Sequence, residues 1–201
     1  MNAFIRSLSY IFHPLLMPFI GVVFFFSKSP RHLPENIVKA KLTALFLLSI
    51  VLPILIFYLL KSLKQVKSIY LQSTKERILP LLLNCIIIGY LSYTVFPANE
   101  FIELYYFFIG IVFSSLTCLI LAILKFKASI HMIASTGILM FFIALSIHYS
   151  INIIGTIALL SILIGAIATS RLHMNAHSVS ELIVGIFVGI IPQLIMLKFW
   201  L

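Results

Sequence analysis

The sequence contains no aspartate, and its only acidic residues are five glutamates. Charged residues make up 9% of the chain, against the roughly 25% that is usual for a soluble domain. Phosphate chemistry that depends on bound metal usually requires several clustered carboxylates. The chain therefore does not fit membrane enzymes with aspartate-rich metal motifs, such as prenyltransferases and CDP-alcohol phosphotransferases. We expect no metal and no other cofactor.

Cysteine is also scarce, and the basic residues are not concentrated in one segment. Cys85 and Cys118 both lie inside apolar runs, so we expect buried small side chains and neither a disulfide nor a metal pair. The net charge of +9 is spread over several short loops. That distribution suits anchoring to the phosphate headgroups of membrane lipids and does not favour a nucleic-acid partner.

Apolar residues are abundant and make up 62% of the sequence, in seven runs. A run of about 20 apolar residues crosses a bilayer as a helix, and lipid requires every backbone group to be bonded internally. We therefore predict an all-α polytopic membrane bundle of about seven transmembrane helices (six to seven), forming one integral membrane domain over residues 1–201. Asn84 and Gln193 lie inside runs and should hydrogen-bond between helices. The runs are residues 10–27, 42–60, 78–96, 101–124, the stretch from after 131 to 147, 153–169 and 182–197.

One polar segment, residues 170–181, separates the last two runs and contains Arg171, two histidines and Glu181. Ionisable groups at a membrane are functional candidates by default. His177 and Glu181 are four residues apart, so on a helix they share a face, and the carboxylate can hold one imidazole nitrogen while the other acts as a nucleophile. Arg171 and His177 are six residues apart, about 240° around a continuous helix, so we expect the helix to break between them.

The order of the spans predicts which polar groups share a membrane face. Two spans separate Arg77 from Lys127, and two more separate His131 from Arg171, so all four should emerge on the face of the N-terminus. The residues expected to converge there are Lys127, His131, Arg171, His177 and Glu181.

Two of these segments resemble motifs of the type 2 phosphatidic-acid phosphatase family, which also includes the vanadium haloperoxidases. The third motif of the family is similar to residues 170–181. Here Ser170-Arg171 is followed after five residues by His177, and after three more by Glu181, where the family has aspartate. Residues 128–131, Ala-Ser-Ile-His, resemble the second motif, Pro-Ser-Gly-His. A loose version of the first motif is formed by Lys75, Arg77 and Pro80. The resemblance indicates a divergent bacterial-type member, in a bacterial inner (plasma) membrane, with a phosphatase-like core over about residues 75–201.

The resemblance implies a metal-independent hydrolase acting on a lipid phosphomonoester or an isoprenoid pyrophosphate. In that family pattern His177 attacks phosphorus and forms a phosphohistidine, Glu181 orients His177, and His131 protonates the leaving oxygen. Positively charged and hydroxyl side chains bind the phosphate oxygens. The implied phosphate-binding set is Arg171, Lys127, Ser129, Arg77, Lys75 and Ser170.

Four of these residues also have a structural interpretation. Ser178 and Glu181 have the spacing of a capping box, so Glu181 can be a helix cap, alone or in addition to its role beside His177. His131 can be an interfacial histidine without chemistry. Arg171 and Lys127 can be anchors that flank their helices.

Other histidines allow further interpretations. His173 shares a helical face with His177 if the last helix begins early, which would allow a bis-histidine metal pair. His13 and His32 are assigned to structure, because no neighbouring residue in the sequence completes a site. At the level of the whole protein, the main alternative is a non-enzymatic membrane protein of the same fold that binds anionic lipid or a phosphorylated ligand. A transporter is a third.

The charge distribution leaves the orientation open. Nine lysines and arginines fall on the N-terminal face and five on the other, which by the positive-inside rule would place the site in the cytoplasm. Four of the nine are candidate phosphate ligands, and without them the count is five against five. The other face should receive Glu100, Glu103 and His148.

Overall fold

The computed structural model describes residues 11–68, 71 and 73–201. Tyr10, where the first apolar run was expected to begin, and Arg6, one of the nine cations assigned to the N-terminal face, lie outside the described residues. All regular structure in these residues is helical, in seven helices of which six are long and apolar enough to cross a membrane. The prediction of an all-α polytopic bundle is confirmed. The helices are α1 Pro14–Lys28, α2 Glu35–Ser62, α3 Thr74–Thr94, α4 Ile102–Ile123, α5 Ile130–His148, α6 Ile154–His173 and α7 Val179–Leu197.

The sequence predicts a loop over residues 28–41, with a helix start at Pro34-Glu35. The helix start is confirmed, because α2 begins at Glu35, whereas the loop is shorter than predicted and covers only residues 29–34. Polar residues form the first turns, where Lys39 pairs with Glu35 one turn away (2.9 Å). Further along, α2 contains Pro53, whose ring would collide with the carbonyl four residues earlier. A wider π-helical turn at Leu47–Val51 accommodates the ring without ending the helix.

The bundle is built around α5, which packs against α7, α6 and α1, while α3 packs along α4 and α4 against α7. Gly189 lets α7 approach α5, because a β-carbon there would overlap the carbonyl oxygen of Ile133 and the hydroxyl of Thr136. The Thr136 hydroxyl donates to the carbonyl oxygen of Ile186 across this contact (3.2 Å). This close approach joins the helices that carry the second and third sequence motifs.

Interhelical hydrogen bonds form where the sequence predicted them. The Asn84 amide donates to the Ser115 hydroxyl (3.0 Å), and the Gln193 amide donates to the carbonyl oxygen of Phe107 (3.1 Å). Cys85 and Cys118 are buried free thiols, also as expected. In an apolar bundle these few polar contacts fix which helix faces meet.

Contacts at the helix ends define two polar ends of the molecule. The His13 ring, just before α1, lies against the His131 ring at the start of α5, and Arg31, after α1, pairs with Glu103 at the start of α4. The helix α1 therefore runs from one end of the bundle to the other. We call the end that carries His13, Arg77, His131, Arg171 and His177 the site end, and the end that carries Arg31, Lys41, Glu100, Glu103 and His148 the opposite end.

Candidate active site

The loop between α6 and α7 forms the centre of the candidate site. The helix α6 ends at His173, and Asn175 adopts a left-handed backbone (φ 49°), which asparagine tolerates. Ser178 then caps α7, its hydroxyl accepting from the Glu181 amide (3.3 Å). Arg171 therefore lies in the last turn of α6 and His177 immediately before the cap of α7, so the helix breaks between them as the spacing predicted.

Glu181 both caps the helix and holds His177. Its Oε2 atom accepts from the Ser178 amide (3.2 Å) and contacts Nδ1 of His177 (2.8 Å). Their spacing predicted that His177 and Glu181 share a helical face, but His177 lies outside α7. The contact arises because the third residue of a capping box reaches back over the helix start. One carboxylate oxygen thus fills both of the roles proposed for it.

The partners of His177 determine its tautomer. Nδ1 lies 2.8 Å from a Glu181 carboxylate oxygen and 3.2 Å from the carbonyl oxygen of Lys127. Both oxygens can only accept, so the ring proton is on Nδ1. In the neutral ring, Nε2 therefore carries the lone pair. His177 also lines the cavity described below.

The surroundings of His177 favour the neutral imidazole. The side chain is 1% exposed, and burial is the largest influence, lowering the pKa of His177 to about 4. The hydrogen bond to Glu181 acts in the opposite direction, while the nearby Arg77, Arg171 and Lys127 cations lower the pKa further. At neutral pH the lone pair on Nε2 is thus available.

The second motif packs directly against this loop. Ser129 immediately precedes α5, and its amide donates to the carbonyl oxygen of Glu181 (3.1 Å). Gly185 allows this approach, because a β-carbon there would lie 2.9 Å from the Ser129 carbonyl oxygen. The Ser129 hydroxyl is fully buried and has no hydrogen-bond partner in the described part of the chain. His131 follows in the first turn of α5 and lines the cavity.

Two arginines supply positive charge to the cavity wall. The buried Arg77 donates from Nη1 to the carbonyl oxygen of Ala128 (2.7 Å) and from Nε to that of Leu71 (3.1 Å). Arg171 is 7% exposed and also lines the cavity. Both guanidinium groups are held by elements that meet at the site end, α3 and α6. A planar guanidinium is well suited to bind phosphate oxygens.

Four other predicted phosphate ligands do not line the cavity. Lys127 donates from Nζ to the carbonyl oxygen of Ala176 (3.0 Å), and burial, followed by the Arg77 charge, lowers its pKa. It therefore holds the loop that presents His177. Ser129 and Ser170 are fully buried beside the cavity, and Lys75 is exposed on α3.

The cavity has a volume of about 480 Å³ and two chemically distinct parts. Its polar end is lined by histidine and arginine side chains from α3, α5 and α6 and from the segments that precede α1 and α7. From this end the cavity continues between mostly apolar side chains of α1 to α5. Along α3 its lining extends from Arg77, at the polar end, to Ile88. Eleven residues of helix correspond to about 16 Å, or roughly half of a 30 Å hydrocarbon core. The residues at the polar end are His13, Arg77, His131, Arg171 and His177.

His13 was assigned to structure from the sequence, but it belongs to the site. Its ring is nearly perpendicular to that of His131, with ring centroids 5.8 Å apart, and it lines the cavity. The available signal was topological, since one span separates His13 from the opposite face, which places it on the face of the predicted site. His32 lies in the 29–34 loop and is exposed.

Metal-binding side chains do not cluster in the described residues. No group of three or more histidine, cysteine or acidic residues there could hold a metal ion. His173, considered as a partner of His177, is exposed on the last turn of α6. The polar end of the cavity instead combines histidines with arginines.

Comparison of the chain with protein-family models, curated proteins and solved structures found no match.

Proposed function

We propose that the protein is a membrane-embedded lipid phosphatase that hydrolyses a lipid phosphomonoester or an isoprenoid pyrophosphate through a phosphohistidine intermediate. The observation that carries this proposal is the buried His177, whose Nδ1 is held by Glu181, which leaves the lone pair on Nε2. The charges of Arg77 and Arg171 act on this ring, and both arginines line the same cavity. The resemblance to bacterial members of the family supports an inner-membrane location.

The proposed reaction has two steps. Nε2 of His177 forms a bond to phosphorus while the bond from phosphorus to the lipid oxygen breaks, and His131 gives a proton to that oxygen. His131 then takes a proton from water, which attacks phosphorus, and the phosphorus–nitrogen bond breaks to release inorganic phosphate. Arg77 and Arg171 stabilise the charge that develops on the phosphoryl oxygens, since such transfer depends mainly on positioning and electrostatics.

The cavity supports a lipid as the substrate. Its cationic end suits a phosphate or pyrophosphate, and its apolar part, lined from Arg77 to Ile88 along α3, suits a hydrocarbon chain. A small soluble phosphate would leave the apolar part unfilled. The combination therefore favours an amphiphilic substrate taken from the bilayer.

Phosphate release by the purified full chain in lipid nanodiscs tests the proposal. The substrates are phosphatidate, lysophosphatidate, farnesyl pyrophosphate and p-nitrophenyl phosphate, each with a chelator present. We expect release from at least one lipid, inhibition by orthovanadate, which adopts the five-coordinate geometry of the transition state, and loss of release in His177→Ala. The matched control is His173→Ala, an exposed histidine four residues away.

Two results would contradict the proposal. Activity that a chelator abolishes and a divalent ion restores would exclude the metal-free mechanism. Lipid binding that depends on Arg77 and Arg171 without any release of phosphate would favour the non-enzymatic alternative, a protein of this fold that binds anionic lipid.

A further inference from the structure

His13 stands at the polar end of the cavity but belongs to none of the sequence motifs. It precedes α1 in an extended conformation (φ −67°, ψ 138°), and Pro14 begins the helix directly after it. Its ring faces the edge of His131 at an interplanar angle of 76°. This placement brings a third histidine to the cavity wall, beside the groups proposed to act on the phosphate.

The hydrogen bond of His13 determines which nitrogen carries its proton. The Leu15 amide donates to Nδ1 (3.3 Å), so Nδ1 has no proton, and the neutral ring carries it on Nε2. The ring makes no other hydrogen bond to a described residue. Burial, and next the Arg171 charge, lower the pKa of His13, which favours this neutral form. Nε2–H is therefore a hydrogen-bond donor available at the cavity.

His13 and His177 thus present opposite chemistry to one space. His177 donates from Nδ1 to Glu181 and offers a lone pair on Nε2, whereas His13 accepts at Nδ1 and offers a proton on Nε2. A lone pair can attack phosphorus, and an N–H can bind a phosphoryl oxygen. The two rings are therefore suited to different atoms of one phosphate group.

We propose that His13 is a further substrate-binding residue whose Nε2–H donates a hydrogen bond to a non-bridging oxygen of the phosphate held by Arg77 and Arg171. A role of this hydrogen bond in catalysis rests on the proposed phosphatase activity, whereas the binding of a phosphate by His13 does not. The donor is neutral, so it adds no further positive charge beside Arg171. A hydrogen bond to a charged phosphate of this kind corresponds to about tenfold or more in affinity.

Two substitutions of His13 separate the donor from the helix cap. In His13→Asn the side-chain oxygen can still accept from the Leu15 amide, but no group reaches the position of Nε2. In His13→Gln the amide nitrogen reaches about that position, and the cap on Leu15 is weakened. The matched controls are His32→Asn and His32→Gln, because His32 is exposed in the loop after α1.

The first readout is orthovanadate affinity, measured from the rise in the thermal unfolding midpoint of the full chain with ligand concentration. We expect His13→Asn to weaken orthovanadate binding about tenfold or more, and His13→Gln to remain within about threefold of wild type. The reverse order, with Asn near wild type and Gln impaired, would show that His13 only caps α1 and would overturn the proposal.

The second readout is kcat/KM on a lipid phosphate and on p-nitrophenyl phosphate. A contact to a non-bridging oxygen does not depend on the leaving group, so His13→Asn should lose about the same factor on both substrates. A loss confined to the lipid substrate would show that His13 acts through His131 and would contradict direct contact with the phosphate.

The two proposals fail in distinguishable ways. If the wild-type protein binds orthovanadate but releases no phosphate, the phosphatase proposal fails, and the His13 substitutions still decide the anion contact. If the wild-type protein neither binds orthovanadate nor releases phosphate, both proposals are overturned.

Discussion

The two polar ends of the bundle differ in how far carboxylates compensate their positive charge. At the opposite end, the fully buried Glu103 accepts from Arg31 (2.6 Å) and from the Tyr149 hydroxyl (2.8 Å), and Lys41 pairs with Glu100 (3.2 Å). Arg31 and Lys41 thus each meet a carboxylate. At the site end, three cations lower the pKa of His177, and the carboxylate of Glu181 acts in the opposite direction. That carboxylate already accepts hydrogen bonds from His177 and from the Ser178 amide. Those cations are Arg77, Arg171 and Lys127.

This difference separates a structural ion pair from a binding site. Removing charge from water costs several kcal/mol per ion unless a partner of opposite sign compensates it. The opposite end supplies that partner within the protein for Arg31 and Lys41. The site end keeps an excess of positive charge beside a cavity. We infer that the compensating anion is the substrate phosphate.

The largest expected contrast is between histidines at the two ends. His177→Ala should reduce phosphate release from lipid and aryl phosphates by at least about 10⁴-fold, because the nucleophile is lost. His148→Ala should leave turnover near wild type, because His148 lies beside Glu103 at the opposite end (3.5 Å). Release assays on both substrates check this. Aryl phosphatase activity surviving in His177→Ala would assign the nucleophile to another residue.

A second contrast compares an arginine from each end. Arg171→Gln removes a cation from the cavity wall and should lower kcat/KM by about 10²–10³-fold, the scale of a lost oxyanion donor. Arg31→Gln should leave kcat/KM within about threefold, because Arg31 serves the Glu103 cluster, but should lower the thermal unfolding midpoint. Similar losses of kcat/KM in the two variants would remove the distinction between the ends.

A third contrast lies within the site end and separates His131 from His177. A general acid matters in proportion to the charge on the leaving oxygen. His131→Ala should therefore lower turnover of an alkyl lipid phosphate by about 10²-fold and affect p-nitrophenyl phosphate much less. Parallel kinetics on the two substrates, under conditions where chemistry limits the rate, provide the measurement. Equal losses would exclude His131 as the leaving-group acid.

The smallest expected effect concerns pH. Protonation of His177 removes its lone pair, and burial lowers its pKa to about 4, so the nucleophile should remain active as pH falls below the ordinary histidine value and be lost only near pH 4. Lys127→Met removes a cation that lowers this pKa, so the acid limb should move upward. Rate–pH profiles on p-nitrophenyl phosphate compare the two proteins under the same substrate ionisation. An unchanged or lower acid limb in Lys127→Met would show that the cation does not act on His177.

The fold could largely be predicted because hydrophobic runs and their polar interruptions are local signals. Long apolar runs located α3 to α7 to within a few residues, and the six-residue spacing of Arg171 and His177 predicted the helix break. Turn chemistry at Pro34-Glu35 predicted the start of α2 correctly. The loop over residues 28–41 was nevertheless predicted too long, because Glu35 and Lys39 interrupt an apolar pattern without interrupting a helix. Hydrophobicity reports the membrane-embedded part of a helix and not its polar first turns.

The site could be predicted only in part because its details depend on packing. Spacing along the chain predicted the contact between His177 and Glu181, although a capping box and not a helical face produces it. Lys127 was expected to be a phosphate ligand, but its ammonium group donates to the carbonyl oxygen of Ala176 and the side chain does not line the cavity. His13 joins the site through the packing of α1 against α5, which no local pattern encodes.

Trapping the covalent intermediate would identify the residue that attacks phosphorus. The full chain is incubated briefly with ³²P-labelled lipid phosphate and quenched in alkali, in which phosphohistidine survives, and the labelled peptide is identified by mass spectrometry. The account predicts an acid-labile label on His177 that is absent from His177→Ala and unchanged in His148→Ala. Phosphate release by wild type with the label on another residue, or a label that persists in His177→Ala, would contradict it.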